Sequence, residues 1–528
     1  MNLFIYICCF ISLSLTHPTP DNFEHPEMLI HSTGNRMKRE LPALSFKPSE
    51  IEKDPDFWNN KAGKFLEKQL NKNRLNKKMA KNVIFFLGDG MGISTLMASR
   101  MYKGGEELEL SFEQFPYSGL SKTYCVNTQV ADSACSATSY LSGVKGNYGT
   151  IGLSAAVIQG DCIGQNNTSH HVESLIRKGQ RSGMRTGIIT NTRITHATPA
   201  GTYANIANRN WENDVRVKND GGNTETCPDI AYQLIHGHVG KKLNVILGGG
   251  RQEFITENEK DIDGNFGRRS DKNLINVWMH IHRHKNSKYV ETKEQLMKVN
   301  DNVERLLGLF DSNHMPFHLD DEAETKPSLS EMVNKALNIF ESSDDDKGYI
   351  LFIEGGKIDH GHHFGLAKKA LDETIEFEKA VELARTRTSE DDTLIVVTAD
   401  HSHSFTVSGY ASRGNNILGL NDGMKSSDGF PYTTLGYENG PSFYQNIDKE
   451  GRRINLENEN VLSNDYGYPT QYPLPLETHG GEDVGVFASG PHAHLFTGVY
   501  EQNFIPHAIK YIACIGDGLT FCSEDQES

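Results

Sequence analysis

The chain has 528 residues, 37% hydrophobic and 23% charged, the balance of an ordinary soluble globular protein with enough length for a large core. Its formal net charge of -16 argues against a nucleic-acid or anionic-membrane partner, while leaving room for a local basic pocket that takes an anionic substrate.

Leu3 to Leu15 is an apolar run too short to span a bilayer, followed by small residues and His17-Pro-Thr-Pro20. It reads as a signal peptide over residues 1–16, although the segment before it lacks Lys and Arg; the alternative is a buried N-terminal strand. A polar, Pro-containing stretch then ends in Arg36-Met37-Lys38-Arg39, the pattern that secretory-pathway convertases cut. A propeptide over 17–39 and an uncut exposed basic cluster both remain open. Of eight cysteines, Cys8 and Cys9 fall in the leader, and the other six are an even number that fits an oxidising compartment. Asn166-Asn167-Thr168-Ser169 holds two overlapping glycosylation acceptors, Asn166 being the first. No later run approaches about 18 consecutive apolar residues, and the polar tail at 523–528 lacks the hydrophobic segment of a lipid-anchor signal. The expectation is a secreted, extracellular product with no membrane anchor.

Apolar, β-rich runs recur at Val83 to Leu87, Thr186 to Thr190, Leu243 to Leu247, Tyr349 to Ile353, Thr393 to Thr398 and Val484 to Ala488. Helical patterns such as Pro327 to Glu341 and Leu366 to Arg385 lie between them. The alternation predicts an α/β fold with a central, mostly parallel sheet flanked by helices on both faces. From 408 to 478 the pattern breaks into Gly-, Asn- and Tyr-rich sequence, read as a surface insertion. His280-Ile-His-Arg-His284 and Asp344-Asp-Asp346 read as solvated runs.

Chemistry-bearing residues gather where these strands end. Gly88-Asp89-Gly90-Met-Gly92 leaves one carboxylate after a strand, with glycines for a tight turn. Asp132-Ser133-Ala134 opens a small-residue helix, where Ser133 sits near an N-terminus that welcomes anions or acts only as an N-cap. Glu354-Gly-Gly-Lys-Ile-Asp359-His360-Gly-His362-His363 crowds two carboxylates and three imidazoles beyond a buried strand. Asp400-His401-Ser-His403 repeats the pattern, and Glu477-Thr-His479-Gly-Gly-Glu-Asp483 precedes the last strand. In an open α/β sheet, ligands bind in the crevice beyond the carboxyl ends of strands, so this constellation predicts a metal site.

Together with Gly143-Val-Lys-Gly-Asn147, His196-Ala-Thr-Pro-Ala-Gly-Thr-Tyr203 and Asn208-Arg-Asn-Trp211, these motifs make residues 54–522 resemble the animal alkaline phosphatases, in particular the insect-type enzymes. The resemblance implies a core at 76–407 and 479–522, a crown-like insertion at 408–478 and an N-terminal arm at 40–75. Its helix, suggested by Pro55 to Leu70, reaches onto a partner subunit, so a homodimer is expected by analogy. It further implies one zinc at Asp359, His363 and His479, a second at Asp89, Asp400 and His401 beneath Ser133, and magnesium at Asp89, Thr198 and Glu354. Mixed imidazole and carboxylate ligands suit zinc, and an oxygen-only set suits magnesium. Ser133 is then the nucleophile that forms a phosphoserine intermediate with phosphate monoesters. Arg209 grips the phosphate oxygens and is oriented by Asp132, while His196, His360 and His403 support the ligands without binding ions. His362 receives no metal role.

The resemblance also implies disulfides between Cys162 and Cys227 and between Cys514 and Cys522, and leaves Cys125 and Cys135 over, to pair or not. In the vertebrate enzymes a calcium site uses acidic residues near Gly308 to Asp311 and Thr325 to Ser328. Here Lys326 occupies an expected carboxylate position, so calcium is expected to be lost or altered. Two other readings fit the motifs: a related sulfatase or phosphodiesterase, and a secreted binding protein on an inactive phosphatase scaffold.

Overall fold

The computed structural model describes residues 50–70, 75–342 and 346–524. The signal peptide, the propeptide, parts of the N-terminal arm, most of the Asp344 run and most of the polar tail lie outside the described residues.

Fifteen strands are assigned among these residues: β1 (Asn82–Gly88), β2 (Tyr117–Lys122), β3 (Arg185–Arg193), β4 (Val245–Gly249), β5 (Ser287–Val290), β6 (Arg305–Leu309), β7 (Tyr349–Gly355), β8 (Thr393–Ala399), β9 (Ser402–His403), β10 (Phe405–Val407), β11 (Leu435–Gly440), β12 (Thr470–Pro473), β13 (His479–Gly480), β14 (Val484–Ser489) and β15 (Gly498–Glu501). Ten form one sheet in the order β15-β2-β14-β8-β1-β7-β3-β4-β6-β5. Its neighbours are parallel except that β14 runs against both β8 and β2.

The strands form because their β-branched and aromatic runs can be buried on both faces, and the two-residue side-chain period divides them between two cores. Val83, Phe85 and Leu87 of β1 join Ile188, Phe352 and Val396 on one face, beneath Tyr140 and Leu141 of the helix Ser133–Ser142. Ile84 and Phe86 join Ile189, Ile353 and Val397 on the other, beneath the helices Leu329–Glu341 and Ala367–Arg387. All six strands expected from sequence are present, whereas β2, β5, β6 and β15 were not anticipated. Three of these lie at or beside the sheet's edges: β5 and β15 are the edge strands, of four residues each, and β2, next to β15, is half-exposed along most of its length.

The insertion carries its own sheet, β10-β11-β12, over a third apolar cluster that includes Phe405, Ile417, Leu435 and Tyr468. Its first strand, β10, begins three residues before the expected boundary at 408, because Phe405 pairs with Tyr437 rather than with the main sheet. One reading is corrected here: His280 and His284 are exposed, but His282 is buried with its ring 4.9 Å from that of Trp278. The six described cysteines are joined as Cys125–Cys135, Cys162–Cys227 and Cys514–Cys522.

Candidate metal centre

Strands β8, β1, β7 and β3 lie side by side and parallel, with Leu87 in register with both Glu354 and Thr398, and Thr190 with Glu354. Their carboxyl ends therefore deliver Asp400, Asp89, Glu354 and the hydroxyls of β3 to one place. Gly90 turns there in the left-handed region, and a side chain would collide with the His403 ring. The helix Lys357–His363 follows β7 directly, and its i,i+4 spacing puts Asp359 and His363 on one face.

Three donor atoms converge first. Nε2 of His363 is 3.3 Å from Asp359, Nε2 of His479 is 3.3 Å from Asp359, and the two Nε2 atoms are 3.1 Å apart. Ligands bound at about 2.0–2.1 Å around a tetrahedral zinc would be separated by roughly this much. A second set lies alongside, where Nε2 of His401 is 3.1 Å from Asp400, 3.5 Å from Asp89 and 3.2 Å from Oγ of Ser133. The His401 and His479 rings stack with centroids 3.5 Å apart, so the two sets adjoin.

The tautomers fit a metal. Nδ1 of His363 faces the Glu477 carbonyl at 2.5 Å, that of His479 the Ala131 carbonyl at 2.8 Å, and that of His401 the Ser402 carbonyl at 3.3 Å. A carbonyl only accepts, so each Nδ1 carries the proton and each Nε2 presents a lone pair to its cluster. Burial together with the neighbouring imidazoles keeps His363 and His479 below the ordinary histidine range, His363 at about 4. His403 differs. Its nitrogens face two carboxylates, Glu477 at 2.5 Å and Asp359 at 2.8 Å, so both must donate. Burial opposes its charge, but Glu477 and Asp359 outweigh that and raise it to about 10. His403 is thus a cation that holds Asp359 in place, with no lone pair to offer.

A third, oxygen-only group forms where Oγ1 of Thr198 donates to Asp89 at 3.3 Å beside the buried Glu354. Thr192 donates to Glu354 at 3.1 Å and Thr190 donates to the same oxygen, while the other Glu354 oxygen accepts no hydrogen bond. Burial raises Glu354 to about 7, and burial with the charges of Asp400 and Asp359 pushes Asp89 well above the carboxylate range. Such packed negative charge would be relieved by a cation.

Ser133 is the first residue of its helix rather than the cap, because Asp132 takes the cap position and accepts from the Cys135 amide at 3.1 Å. Asp132 also pairs with Nη1 of Arg209 at 3.0 Å, and Nη2 of Arg209 lies 3.2 Å from Nε2 of His196. The rings of His196 and His360 meet edge to face at 5.7 Å. His362, buried, bonds Thr95 and Tyr437 at 2.9 Å each and stands outside the clusters. Sequence reasoning quoted Glu477 but gave it no role, although it binds His403, Ser404 and His363; its position two residues before His479 was the available signal. Thr190 and Thr192 were missed because their partner, Glu354, lies on the neighbouring strand.

A separate acidic cluster forms beyond β4 and β6. Nζ of Lys326 donates to the Phe310 carbonyl at 2.8 Å and lies 3.3 Å from Asp311 and 3.5 Å from Asp263, while the buried Arg251 pairs with Asp261 at 3.0 Å and Asp263 at 3.1 Å.

A family model described as alkaline phosphatase matches residues 80–515. The chain belongs to the alkaline phosphatase family. It is 45% identical to the tissue-nonspecific alkaline phosphatase of Rattus norvegicus over 91% of this chain and 92% of that one. It is 42% identical to the membrane-bound alkaline phosphatase of Bombyx mori over 94% of this chain and 90% of that one. Among solved structures, the alkaline phosphatase of the Antarctic bacterium TAB5 shares the fold, with a TM-score of 0.57 at 22% identity over 84% of this chain and all of that one. This alkaline phosphatase is accordingly an enzyme, a hydrolase of phosphate monoesters.

The silkworm relative overturns the expectation of a secreted, unanchored product, since a chain alike over nearly its whole length is membrane-bound. Among the described residues no helix is long and apolar enough to cross a membrane. That observation does not bear on attachment, because a covalent lipid holds a folded domain at a bilayer with no spanning helix.

Proposed function

We propose that the chain hydrolyses phosphate monoesters through a phosphoserine at Ser133, in a site that takes two zinc ions and one magnesium. The observation that carries this is the tying of three Nδ1 atoms to backbone carbonyls, which leaves three Nε2 lone pairs and four buried carboxylates converging around Ser133. Asp359, His363 and His479 would hold one zinc, Asp89, Asp400 and His401 the other, and Asp89, Thr198 and Glu354 the magnesium. Bound there, the ions would supply Lewis acidity toward the serine and leaving-group oxygens and neutralise the phosphoryl charge.

The chain's own residues do the rest. Ser133 presents Oγ beside Nε2 of His401, at the start of a helix whose amides favour an anion. Arg209 offers a planar fork to two phosphate oxygens, held by Asp132 and His196. His403 keeps Asp359 ionised and oriented, and the amide of Gly90 and the hydroxyl of Ser136 do the same for Asp400. Lys326 supplies a fixed positive charge to the acidic cluster, so calcium finds no place there. The exposed Trp58, Phe65, Leu66 and Leu70 on the helix Pro55–Leu70 support a homodimer in which that helix is covered. Asn166, exposed beside a disulfide, suits a glycan.

The test is p-nitrophenyl phosphate hydrolysis with chelator, then with zinc and magnesium added back, alongside the corresponding diester and sulfate. Loss on chelation, recovery on add-back and preference for the monoester are expected. Faster turnover of the diester or the sulfate would favour a sister reaction and sink this reading.

A further inference from the structure

The Cys125–Cys135 disulfide joins residues ten apart in sequence, and both sulfurs are buried against Ala131 and Tyr148. What lies inside that short ring is Ala131, Asp132 and Ser133, and each serves a different part of the site. The Ala131 carbonyl fixes the His479 ring at 2.8 Å, Asp132 holds Arg209 at 3.0 Å, and Ser133 carries the attacking oxygen. The segment just beyond is tied in as well. Asn127, within the ring, accepts from the Tyr148 amide at 2.8 Å, Asp132 accepts from the Gly149 amide at 3.2 Å, and the Gly149 carbonyl accepts from the Arg209 amide at 2.8 Å.

We infer that the Cys125–Cys135 bond is a positioning element of the reaction, a covalent clasp that holds the nucleophile, the phosphate-binding arginine and one imidazole ligand in a common register. This rests on the roles proposed above for Ser133, Arg209 and His479. Without the clasp, the loop from Val126 to Ala131 is held by few hydrogen bonds: Val126 to the Gly146 carbonyl, the Asn127 contact, Thr128 to Val130, and the Ala131 carbonyl to His479. Its far end is the segment that must stay fixed to a fraction of an ångström for in-line attack. Cys162–Cys227 spans 65 positions, and although His196, Thr198 and Arg209 lie within it, so long a loop leaves their geometry to hydrogen bonds and packing; Cys514–Cys522 encloses none of the site residues.

The test is the Cys125→Ser/Cys135→Ser double variant, assayed as the zinc- and magnesium-loaded enzyme well below its unfolding temperature. The expected result is a fall in kcat/KM on the order of 10- to 100-fold, weaker competitive inhibition by inorganic phosphate and faster loss of zinc to a chelator. A variant with a lower unfolding temperature but unchanged kcat, phosphate inhibition and zinc release would overturn the inference. If the variant does not fold, the wild-type enzyme is reduced with a trialkylphosphine, each opened disulfide gaining two electrons and two protons while the phosphine leaves as its oxide. Alkylation and mass spectrometry then report which pairs have opened. Activity should fall in step with Cys125–Cys135 opening, and full activity with that pair open would equally overturn the inference. Turnover retained by Ser133→Ala would instead count against the proposed function itself.

Discussion

Two acid-rich clusters sit beyond the carboxyl ends of strands in the same sheet, and they are finished differently. Beyond β8, β1 and β7, Asp89, Glu354, Asp359 and Asp400 meet three imidazoles whose free nitrogens carry lone pairs, and of these four carboxylates the cationic His403 touches only that of Asp359, its other nitrogen being bound to Glu477. Beyond β4 and β6, Asp261, Asp263 and Asp311 meet Arg251 and Lys326, which neutralise them with permanent charge. Carboxylates with lone-pair donors call for an ion, whereas carboxylates with their own ammonium and guanidinium do not. The difference between a metal site and a structural salt-bridge network is therefore set by which neighbours the chain supplies, not by the number of acids.

This contrast can be broken at its strongest point first. Ser133→Ala should abolish turnover by on the order of 10³- to 10⁶-fold while zinc content, measured by elemental analysis, stays the same. Arg209→Ala should weaken inhibition by inorganic phosphate by about 10- to 100-fold, the value of a lost bidentate charge-assisted contact, again with zinc retained. Equal loss of metal and phosphate binding would dissolve the separation between the two roles. Across the sheet, Lys326→Asp should convert the second cluster into a divalent-cation site, read as calcium binding by calorimetry that the wild type lacks. Lys326→Ala should cost on the order of 1–3 kcal/mol in urea unfolding, because Asp263 and Asp311 lose a partner.

The smallest effect concerns pH. Burial, with Arg305 and Lys285 nearby, lowers His282 to about 4 from 6.5. The unfolded state therefore binds the extra proton, so its contribution is full above about pH 6.5 and is lost as pH falls toward 4. His282→Gln should remove this pH-dependent increment, read as a flatter dependence of the urea-unfolding free energy on pH between about 6.5 and 4.

Much of the centre was legible because its residues are local to strand ends. Apolar runs ending in Asp89, Glu354 and Asp400 announce themselves, and the i,i+4 pair Asp359 and His363 is visible in the motif. What stayed hidden depends on partners distant in sequence. His401 and His403 look interchangeable in Asp-His-Ser-His, yet one faces a carbonyl and the other two carboxylates, and only the fold brings Glu477 to His403. The burial of His282 was equally invisible, since its neighbours on both sides are exposed.

The sequence by itself determined the parallel sheet, the two-faced core and most of the side chains that gather at the candidate centre, because hydrophobic periodicity and strand-end chemistry are local. It did not reveal the membrane-bound character of a close relative. Tertiary structure alone decided which imidazoles keep a lone pair and which is a cation, that Asp132 and not Ser133 caps the helix, and that Cys125 pairs with Cys135 around Ser133. Those outcomes depend on which donor stands within hydrogen-bonding reach of which acceptor, a distance that chain order does not contain.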